Sequence, residues 1–564
     1  MSDQVNNRTI AIELGRLASL MEIAGENPFR TRAIRNGAEV VVHLEEPLAP
    51  LAGNTEALTA IPGIGAGIAA LITEIVQTGT TRAITELQQK APEGLADILA
   101  IPGIGAKTAG KLYQLADVDG LDTLRSALET GRIASTTGLG PKLAEKLAAG
   151  LESLGRKTGR ARLGTSLPIA RALRERLISR MAGDARIELT GSLRRWEETT
   201  GDINFLTTAT LEEMTALLRG DAQVSGLTVA NGALHGTHTS GLELVIIPAA
   251  PEEFGTAWIR TTGPAAHIAL LDGFDASPAA SEEAVYESLG LPWIAPEFRQ
   301  GRDELDRARR GELDEVIAIT DIRGELHCHT VWSDGHASIE AMALAAKARG
   351  YAYLAISDHS HSLGVANGLT RERLLAQAAE IAAVSRRLEF PLLRSSEVEV
   401  HRDGSLDFDI ETLHGLDVVI ASTHSGLTRP RAELMARLDA ALSGGRVDVL
   451  AHPSGRLIEA REPGDFDWPA VFALARERGV ALEINADPAR LDLKGDHARE
   501  AIEAGCLLSI NCDAHHPQGF ELMEYGIATA RRGFVPRDRV INTWPLEKLR
   551  SWLASPATRG AAGN

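Results

Sequence analysis

The C-terminal part of the chain alternates short apolar runs with helical patterns, and most of the apolar runs end in metal-binding side chains. Seven such runs lie between residues 320 and 564, and they end in GELHCHT, YLAISDHS, LLRSSEVEV, VVIASTHS, VDVLAHPS, ALEINADP and LLSINCDAHH. Strands that alternate with helices predict a barrel-like β/α fold. Because the carboxyl ends of the strands in such a barrel meet on one face, these side chains are expected to converge.

Nine side chains at the strand ends have the chemistry of metal ligands. They are His327, His329, Asp334, His359, Glu397, His424, His452, Asp513 and His515. Imidazole combined with carboxylate suits manganese, zinc or iron, and nine ligands are too many for one ion. We therefore predict two or three divalent metals that share at least one bridging carboxylate. Clustered metals activate water and stabilise charge on a phosphoryl group, so the predicted chemistry is phosphoester hydrolysis.

The first 160 residues predict helices that are broken by a repeated glycine turn. IPGIGAG at 61–67 recurs as IPGIGAK at 101–107, and a looser copy, GLGPK, stands at 138–142. A Gly-x-Gly turn that opens a helix directs backbone N–H groups outward at the positive end of the helix dipole, which suits an anion. Three copies predict contacts to DNA phosphates through Gly63, Gly65, Gly103, Gly105, Lys107, Gly138, Gly140 and Lys142. Arg30, Arg32 and Arg35 add a further candidate DNA contact.

The region 161–315 mixes strand and helix patterns and contains GSLRRWEETTGDINFLTTA at 191–209. Asp202 and Asn204 lie two apart on a predicted strand and therefore share a face. A nucleotide-transferring enzyme would place two carboxylates there to hold magnesium, but the second position carries an amide. The charged segment 289–315 is interrupted by proline and predicts a linker to the third region.

Composition limits where such a chain can act. The net charge is −18, so any contact with nucleic acid has to be local. Three cysteines, Cys328, Cys506 and Cys512, are too few for a disulfide framework. No apolar run approaches the roughly 20 residues of a membrane helix, and the start MSDQVNNRT has no apolar core of an export signal. We expect a cytoplasmic protein that does not contact a membrane.

Residues 320–564 resemble a PHP (polymerase and histidinol phosphatase) domain through the motifs HCHTVWSDG, SDHSHS, SSEVEV, STHS, AHPSGR and CDAHH. The first 315 residues resemble the polymerase beta part of bacterial family X DNA polymerases, through NPFRTRAIR, the repeated IPGIG, GSLRR with ETTGD, and LGLPWIAPEFR. The resemblance implies a multidomain α and α/β protein. Its parts would be a helix-hairpin-helix region at 1–160, an α+β nucleotidyltransferase-like palm and thumb at 161–315, and a distorted β/α barrel at 320–564.

The resemblance also implies residue roles in the barrel. One metal would be held by the catalytic residues His327, His329, Glu397 and Asp513. A second would be held by Glu397, His424 and His452, and a third by Asp334, His359 and His515, with Glu397 as the bridge. Family members use this domain, usually with manganese, as a 3′–5′ exonuclease. Arg456, which follows the fifth strand, is a candidate contact for a substrate phosphate, with a solvated surface arginine as the alternative.

The palm departs from the family pattern of Asp-x-Asp followed by a later Asp. This chain has Asp202, Asn204 and Glu243 at those positions, so weak magnesium binding is expected. The segment RTTGPA at 260–265 also lacks the aromatics, serine and lysine of the family's YFTGSK-type motif. The turn that would grip a triphosphate is kept as Gly191, Ser192, Arg194 and Arg195. The two arginines could equally pair with Glu197 and Glu198 or with DNA.

The leading hypothesis is a DNA repair enzyme that removes or processes 3′ ends through the barrel, with the polymerase activity lost. Its partner would be gapped, nicked or 3′-ended DNA, and the protein would be a monomer. One alternative is a gap-filling polymerase that tolerates Asn204 and Glu243. Another is a DNA-end-binding scaffold with structural metals, and for the barrel alone a small-molecule phosphatase remains open.

Overall fold

The structure is a computed structural model. It describes residues 7–554 except 25, 43, 45–47, 62, 89–94, 96, 97, 99, 100, 102, 103, 105, 117, 145, 149–159, 182, 275–277 and 445. The chain divides into two compact units, Met1–Thr158 and Gly159–Asn564. None of the described helices is long and apolar enough to cross a membrane.

The described part of the first unit is helical. Its helices are α1 (Asn7–Ile23), α2 (Pro28–Val42), α3 (Thr55–Thr59), α4 (Ala66–Thr78), α5 (Arg82–Gln88), α6 (Ala106–Ala116), α7 (Leu121–Glu129) and α8 (Arg132–Ser135). α4 shows why they form: Ile68, Ile72 and Ile75 recur at helical spacing and are buried on one face. Gly79 ends α4 in the left-handed conformation, with φ of 80°.

The second unit begins with a mixed α+β region. Its elements are β1 (Ala161–Arg162), α9 (Leu163–Ile178), β2 (Ile187–Leu189), α10 (Gly191–Arg194), β3 (Thr199–Thr200), β4 (Asp202–Thr207), α11 (Leu211–Arg219), β5 (Val224–Ala230), β6 (Ala233–His238), β7 (Glu243–Pro248), α12 (Phe254–Thr262), α13 (Ala265–Leu270), α14 (Glu282–Ser288) and α15 (Glu304–Arg309). Five strands form one sheet in the order β2-β4-β7-β6-β5, with β4 and β7 parallel. Ile203 and Phe205 of β4 and Leu244 and Ile246 of β7 alternate into its core.

The rest of the unit is a parallel β/α barrel, which confirms the predicted fold class. Its elements are β8 (Gly324–Glu325), α16 (Ile339–Ala348), β9 (Tyr353–Ile356), α17 (Arg371–Leu388), β10 (Leu392–Glu399), α18 (Ile410–His414), β11 (Val418–Ser422), α19 (Arg431–Gly444), β12 (Val449–Leu450), α20 (Trp468–Arg478), β13 (Ala481–Asn485), α21 (Gly495–Glu503), β14 (Leu508–Asn511), α22 (Met523–Arg532) and α23 (Leu546–Ala554). Strands β8 to β14 pair with their neighbours in chain order. A parallel bridge between Cys328 and Ala514 brings the two edges together.

The segment 289–315 is not the free linker that its prolines and charges predicted. Ile294 and Phe298 are buried in the same apolar cluster as barrel residues, and Phe298 stacks on Phe534 with ring centroids 5.6 Å apart. The apolar residues between the charges therefore determine where this segment packs. They anchor the segment to the barrel while its charged side chains face solvent or form ion pairs.

A buried carboxylate ties this segment to the palm. Glu282 accepts two hydrogen bonds from Arg194 at 2.6 and 2.8 Å, and two from Arg299 at 2.9 and 2.8 Å. Burial raises the pKa of Glu282, but the two guanidinium groups outweigh it and lower the pKa to about 2. One negative charge thus compensates two buried arginines that come from separate segments.

Replacing Glu282 by Ala is expected to lower the stability of the second unit by about 3–5 kcal/mol, because two buried guanidinium groups lose their counter-charge. The measurement is the denaturant midpoint of the unit that contains Trp258 and Trp293, followed by tryptophan fluorescence. Glu283→Ala, on the exposed side of the same helix, serves as the control. Equal midpoints for the two variants would contradict the assigned role of Glu282.

Candidate metal centre

The nine predicted ligands lie together at the carboxyl ends of the barrel strands. His327 and His329 follow β8, Asp334 follows them in the next loop, and His359 follows β9. Glu397 lies inside β10, and the remaining four follow later strands: His424, His452, Asp513 and His515. Parallel pairing in chain order brings all seven strand ends to one edge, which explains why residues up to 188 positions apart meet there.

Glu397 is the centre of this cluster. Its Oε2 lies 2.8 Å from His359 Nδ1, 3.4 Å from His327 Nε2 and 3.5 Å from His329 Nε2. Its Oε1 lies 3.0 Å from His452 Nε2 and 3.2 Å from His424 Nε2. A single buried carboxylate therefore faces five imidazole rings.

Two further carboxylates complete the cluster. Asp513 Oδ1 lies 3.0 Å from His329 Nε2 and 3.6 Å from His327 Nε2. Asp334 lies 3.4 Å from His359 Nε2 and 3.5 Å from His515 Nε2. Three sets of ligand atoms lie close enough to hold an ion: His329 with Asp334, His359 and His515; His327 with His329 and Asp513; and His359 with Glu397 and His424.

These residues fit divalent metals. Several buried nitrogen and oxygen atoms of the cluster, some of them in close contact with one another, make no contact of hydrogen-bond geometry among the described residues. They are His327 Nε2, His329 Nδ1 and Nε2, His359 Nδ1, Glu397 Oε2 and His452 Nδ1. Unpaired buried polar atoms are costly, and so many at one place indicate a missing ligand. Imidazole nitrogens and carboxylate oxygens are the donors that zinc, manganese and iron accept. The division of the ligands among individual ions stays a prediction.

Three buried carboxylates that were not among the predicted residues hold the ligands in place. Glu483 accepts a hydrogen bond from His327 Nδ1 at 2.8 Å and another from the backbone N–H of His452 at 2.7 Å. Glu399 lies 2.7 Å from His424 Nδ1. A carboxylate on the second nitrogen fixes the tautomer of a ligand imidazole and makes it more basic. Glu399 could have been found from sequence, because it stands two residues after Glu397 on the same strand face.

The third carboxylate, Asp358, shapes the loop that carries Asp334. It accepts hydrogen bonds from the backbone of Thr330 at 2.8 Å and of Ser333 at 3.1 Å. Gly335 closes this loop against His329, whose carbonyl would lie 2.5 Å from any added Cβ. The glycine of the motif HCHTVWSDG is therefore required by a close backbone approach.

The charges of the cluster shift the pKa values of its members in opposite directions. Burial raises the pKa of Glu397, but the neighbouring His359, His424 and His327 outweigh it and hold the pKa well below its usual range. Burial lowers the pKa of His359, but Glu397 and Asp334 outweigh it and raise the pKa to about 10. Without metal, His359 is therefore protonated beside the ionised carboxylate of Glu397.

At the predicted magnesium site of the palm, the candidate ligands pair with neighbouring side chains. Asp202 and Glu243 are paired neighbours on β4 and β7, so the structure brings them together as the sequence predicts. The Nδ2 of Asn204 donates to Asp202 Oδ1 at 2.9 Å, and Glu243 lies 3.1 Å from His235 Nδ1. An amide donor thus occupies the oxygen that a metal would need. No group of metal-binding geometry forms there within the described residues.

Most polar groups of the turn that would grip a triphosphate are paired within the protein, although Arg195 Nε is buried without a hydrogen-bond partner among the described residues. Arg194 is bound to Glu282 and its guanidinium lies 3.5 Å from the centre of the Trp258 ring. Arg195 donates to the carbonyl of Thr262 and lies 3.5 Å from Glu197. Ser192 shares a hydrogen bond with Thr200. Gly191 has φ of 67°, and an added Cβ would lie 2.9 Å from Asn204 Nδ2.

The predicted pairing of these arginines is therefore half right. Arg195 does face Glu197, as expected, but Arg194 pairs with Glu282, which lies 88 residues further along the chain. Glu198 instead binds Arg456 of the barrel through two hydrogen bonds of 2.9 and 2.7 Å. Arg456 also donates to the carbonyl of Leu491. The guanidinium predicted to meet substrate phosphate is thus engaged by the palm in this structure.

The hairpin turns are partly described. Gly63, Gly138 and Gly140 have φ of 88°, 95° and 84°, and Gly65 caps the start of α4. Gly63, Gly65, Gly138 and Lys142 are exposed. Gly103 and Gly105 of the second copy lie outside the described residues, and Lys107 lies in α6. Arg30, Arg32 and Arg35 are exposed on α2.

Comparisons with protein families agree with a helical hairpin region followed by a C-terminal barrel. A helix-hairpin-helix domain model matches residues 5–81, and a SAM-like helix-hairpin-helix tandem matches residues 55–117 and 95–153. A PHP domain model matches residues 325–487. The fold and the site thus define a helix-hairpin-helix protein with a PHP barrel, which is a metal-dependent phosphoesterase fold.

One relative matches the chain almost from end to end. The "DNA polymerase/3′-5′ exonuclease PolX" of Bacillus subtilis (strain 168) is 34% identical over 96% of this chain and 98% of the relative. The chain therefore belongs to the PolX family of bacterial family X DNA polymerases. Relatives of the barrel are probable phosphatases: one of Vibrio parahaemolyticus is 30% identical over 40% of this chain and 90% of its own length, and one of Shewanella sp. (strain MR-4) is 26% identical over 42% and 94%.

Thermal stability of the metal-free protein is expected to fall as pH rises from about 7 to about 10. Burial lowers and carboxylates raise the pKa of His359, His424 and His515, to about 10, 9 and 9. A histidine whose pKa is higher in the folded state stabilises the fold below its ordinary pKa, and this is lost as pH passes through the folded value. Calorimetry of chelator-treated protein measures the Tm. A triple Gln variant of the three histidines should show a flatter profile; the same slope would contradict the assignment.

Glu483→Gln is expected to weaken metal binding by about 10- to 100-fold, because His327 loses the charged partner that orients its ring. Competition with a fluorescent manganese chelator measures the affinity. Glu477→Gln, at an exposed site on α20, removes the same charge from the barrel surface and should leave the affinity unchanged. Unchanged affinity in Glu483→Gln would show that the hydrogen bond to His327 does not support the site.

Proposed function

We propose that this protein is a metal-dependent DNA phosphoesterase that trims or processes 3′ ends through the PHP barrel, and that it has lost polymerase activity. The observation that carries the proposal is the convergence of nine ligand-type side chains with Glu397 at their centre, five of which have buried atoms without a hydrogen-bond partner among the described residues. The relative from Bacillus subtilis, named as both polymerase and 3′-5′ exonuclease, supports the substrate class and the polarity.

In this proposal the barrel residues take the roles given by the family resemblance. His327, His329, Glu397 and Asp513 hold one ion, Glu397, His424 and His452 a second, and Asp334, His359 and His515 a third. Divalent metals at such a site activate water and neutralise the charge that develops on the phosphorus. Glu483 and Glu399 hold the imidazoles of His327 and His424 in the orientation that this requires.

The proposed loss of polymerase activity is supported by the internal hydrogen bonds of the palm. The amide of Asn204 takes an oxygen of Asp202, and the side chain of Arg194 is engaged by Glu282. Binding a nucleotide triphosphate with two magnesium ions would require breaking these contacts, and no lysine or aromatic residue replaces them in 260–265. The palm would thus be a structural domain in this chain.

The hairpin unit would hold DNA in this proposal. Exposed glycine turns at Gly63, Gly65 and Gly138 offer backbone N–H groups to phosphates, and the family models support a helix-hairpin-helix fold there. A DNA-binding unit on the same chain raises the effective concentration of the strand at the barrel. The proposed partner is a gapped, nicked or 3′-ended DNA, handled by a monomer in the cytoplasm.

The test is a denaturing gel with manganese on a 5′-labelled primer at a one-nucleotide gap, with and without dNTPs. Wild type should shorten the primer from its 3′ end. His327→Ala should reduce shortening by at least about 100-fold, since it removes a metal ligand. Asp202→Ala, matched to it as the palm variant, should shorten the primer at the wild-type rate.

Growth of the primer by one nucleotide, dependent on Asp202, would overturn the loss of polymerase activity. A primer that stays intact while a 3′-phosphate is removed would indicate a phosphatase-type end-processing reaction instead. DNA binding without any turnover would favour a scaffold with structural metals.

A further inference from the structure

Three arginines follow strands β12 and β13 near the metal centre, and their contacts differ. Arg456 is held by Glu198 and by the carbonyl of Leu491. Arg461 donates through Nε to the carbonyl of Gly455 at 2.7 Å. The third, Arg490, is oriented toward a metal ligand. Its Nε lies 4.0 Å from Asp513 Oδ2, beyond hydrogen-bond distance.

The guanidinium of Arg490 is mostly buried, but one of its nitrogens has no hydrogen-bond acceptor among the described residues. Its side chain is 15% exposed, and Nη1 is buried with no hydrogen-bond partner among the described residues. A buried cationic donor that lacks an acceptor costs free energy, so such a group indicates a partner that arrives with the substrate.

The loop that carries Arg490 is fixed from two sides. Within the loop, the backbone N–H of Arg490 donates to the carbonyl of Asp487 at 2.7 Å, and that of Ala489 donates to Asp487 Oδ1 at 2.8 Å. From the palm side, Leu491 is 1% exposed inside the palm core. Pro488 packs so closely on Gly164 of α9 that a Cβ there would lie 2.4 Å away. The arginine is therefore presented on a rigid support rather than on a free loop.

We propose that Arg490 is a substrate-binding residue of the metal centre, whose guanidinium holds a non-bridging oxygen of the scissile phosphodiester. This inference rests on the proposed function. A phosphodiester is the one anion that this reaction must bring beside Asp513, and a guanidinium offers two parallel donors that match two phosphate oxygens. Arg490 takes this role in place of Arg456, and the palm takes part by supporting the loop.

Two variants and a control test the proposal in the manganese-loaded full chain. Arg490→Gln removes the charge, and Arg490→Lys keeps the charge but not the planar pair of donors. Arg431→Gln is the control, because Arg431 is an exposed arginine that pairs with Asp465 on the barrel surface. The readouts are kcat and KM on a single-stranded oligonucleotide, equilibrium binding of thymidine 5′-monophosphate by calorimetry, bound metal per chain, and Tm.

Arg490→Gln is expected to lower kcat/KM by at least about 100-fold, as loss of a charged donor to a developing anion does. It should weaken thymidine monophosphate binding by at least about tenfold and leave bound metal and Tm unchanged. Arg490→Lys should recover part of both losses, and Arg431→Gln should match wild type.

Wild-type turnover and nucleotide binding in Arg490→Gln would overturn the proposal. Loss of metal in parallel with activity would also overturn it, because Arg490 would then support Asp513 instead of the substrate. Failure of the proposed function gives a different pattern: wild type would not hydrolyse DNA at all. Binding of thymidine monophosphate that still depends on Arg490 would then leave the phosphate contact standing, and binding that does not would remove it as well.

Discussion

A buried ionised carboxylate surrounded by five imidazoles is the constraint on which the barrel depends. Glu397 lies inside the barrel, where an isolated charge would be costly. The carboxylate faces five imidazoles from the ends of four other strands. Three of them, His327, His359 and His424, supply the positive charge that keeps Glu397 ionised. The strands can bring these groups together only if the sheet curls, so closure of the barrel and assembly of the cluster favour each other.

The same compensation explains why the cluster is suited to metals. Without ions, protonated histidines balance Glu397, Asp513 and Asp334. Burial keeps water from doing so at Glu397, which is 1% exposed. Divalent ions can replace those protons while satisfying the nitrogen and oxygen atoms that have no partner. The backbone is adapted to this arrangement at His452 and Asp513, which have positive φ of 29° and 52°. Conformations that ordinary residues rarely adopt are typical of ligand sites held by their surroundings.

The sequence was sufficient to predict the barrel and the hairpins and to name the nine ligand candidates, because each of these depends on a local pattern. Apolar strands, glycine turns and strand-end side chains are all visible within about ten residues of sequence. Contacts between distant segments were not visible. Glu282 and Arg194 are 88 residues apart, and Glu198 and Arg456 are 258 apart. The packing of the charged segment 289–315 on the barrel was not visible for the same reason. Its few apolar residues pack against residues that are distant in sequence, such as Phe534.

Under the proposed loss of polymerase activity, the palm serves as a support for the barrel. Asn204 replaces an anionic oxygen with a donor that satisfies Asp202, and Glu282 satisfies the arginine of the phosphate turn. These polar groups of the palm are thus paired within the protein. Its core then extends to Leu491 and Tyr525 of the barrel.

Exposure across the metal centre indicates how a substrate reaches it. His327, His329, Glu397 and His452 are at most 1% exposed, whereas Asp334 and His515 are 34% and 33% exposed. Under the proposed function, a phosphodiester would enter from the more exposed side of Asp334 and His515 and reach inward to the buried ligands. A strand terminus can enter such a recess, whereas an internal phosphodiester of a duplex is flanked by chain on both sides. The burial of the inner ligands thus supports the proposed action on a strand end.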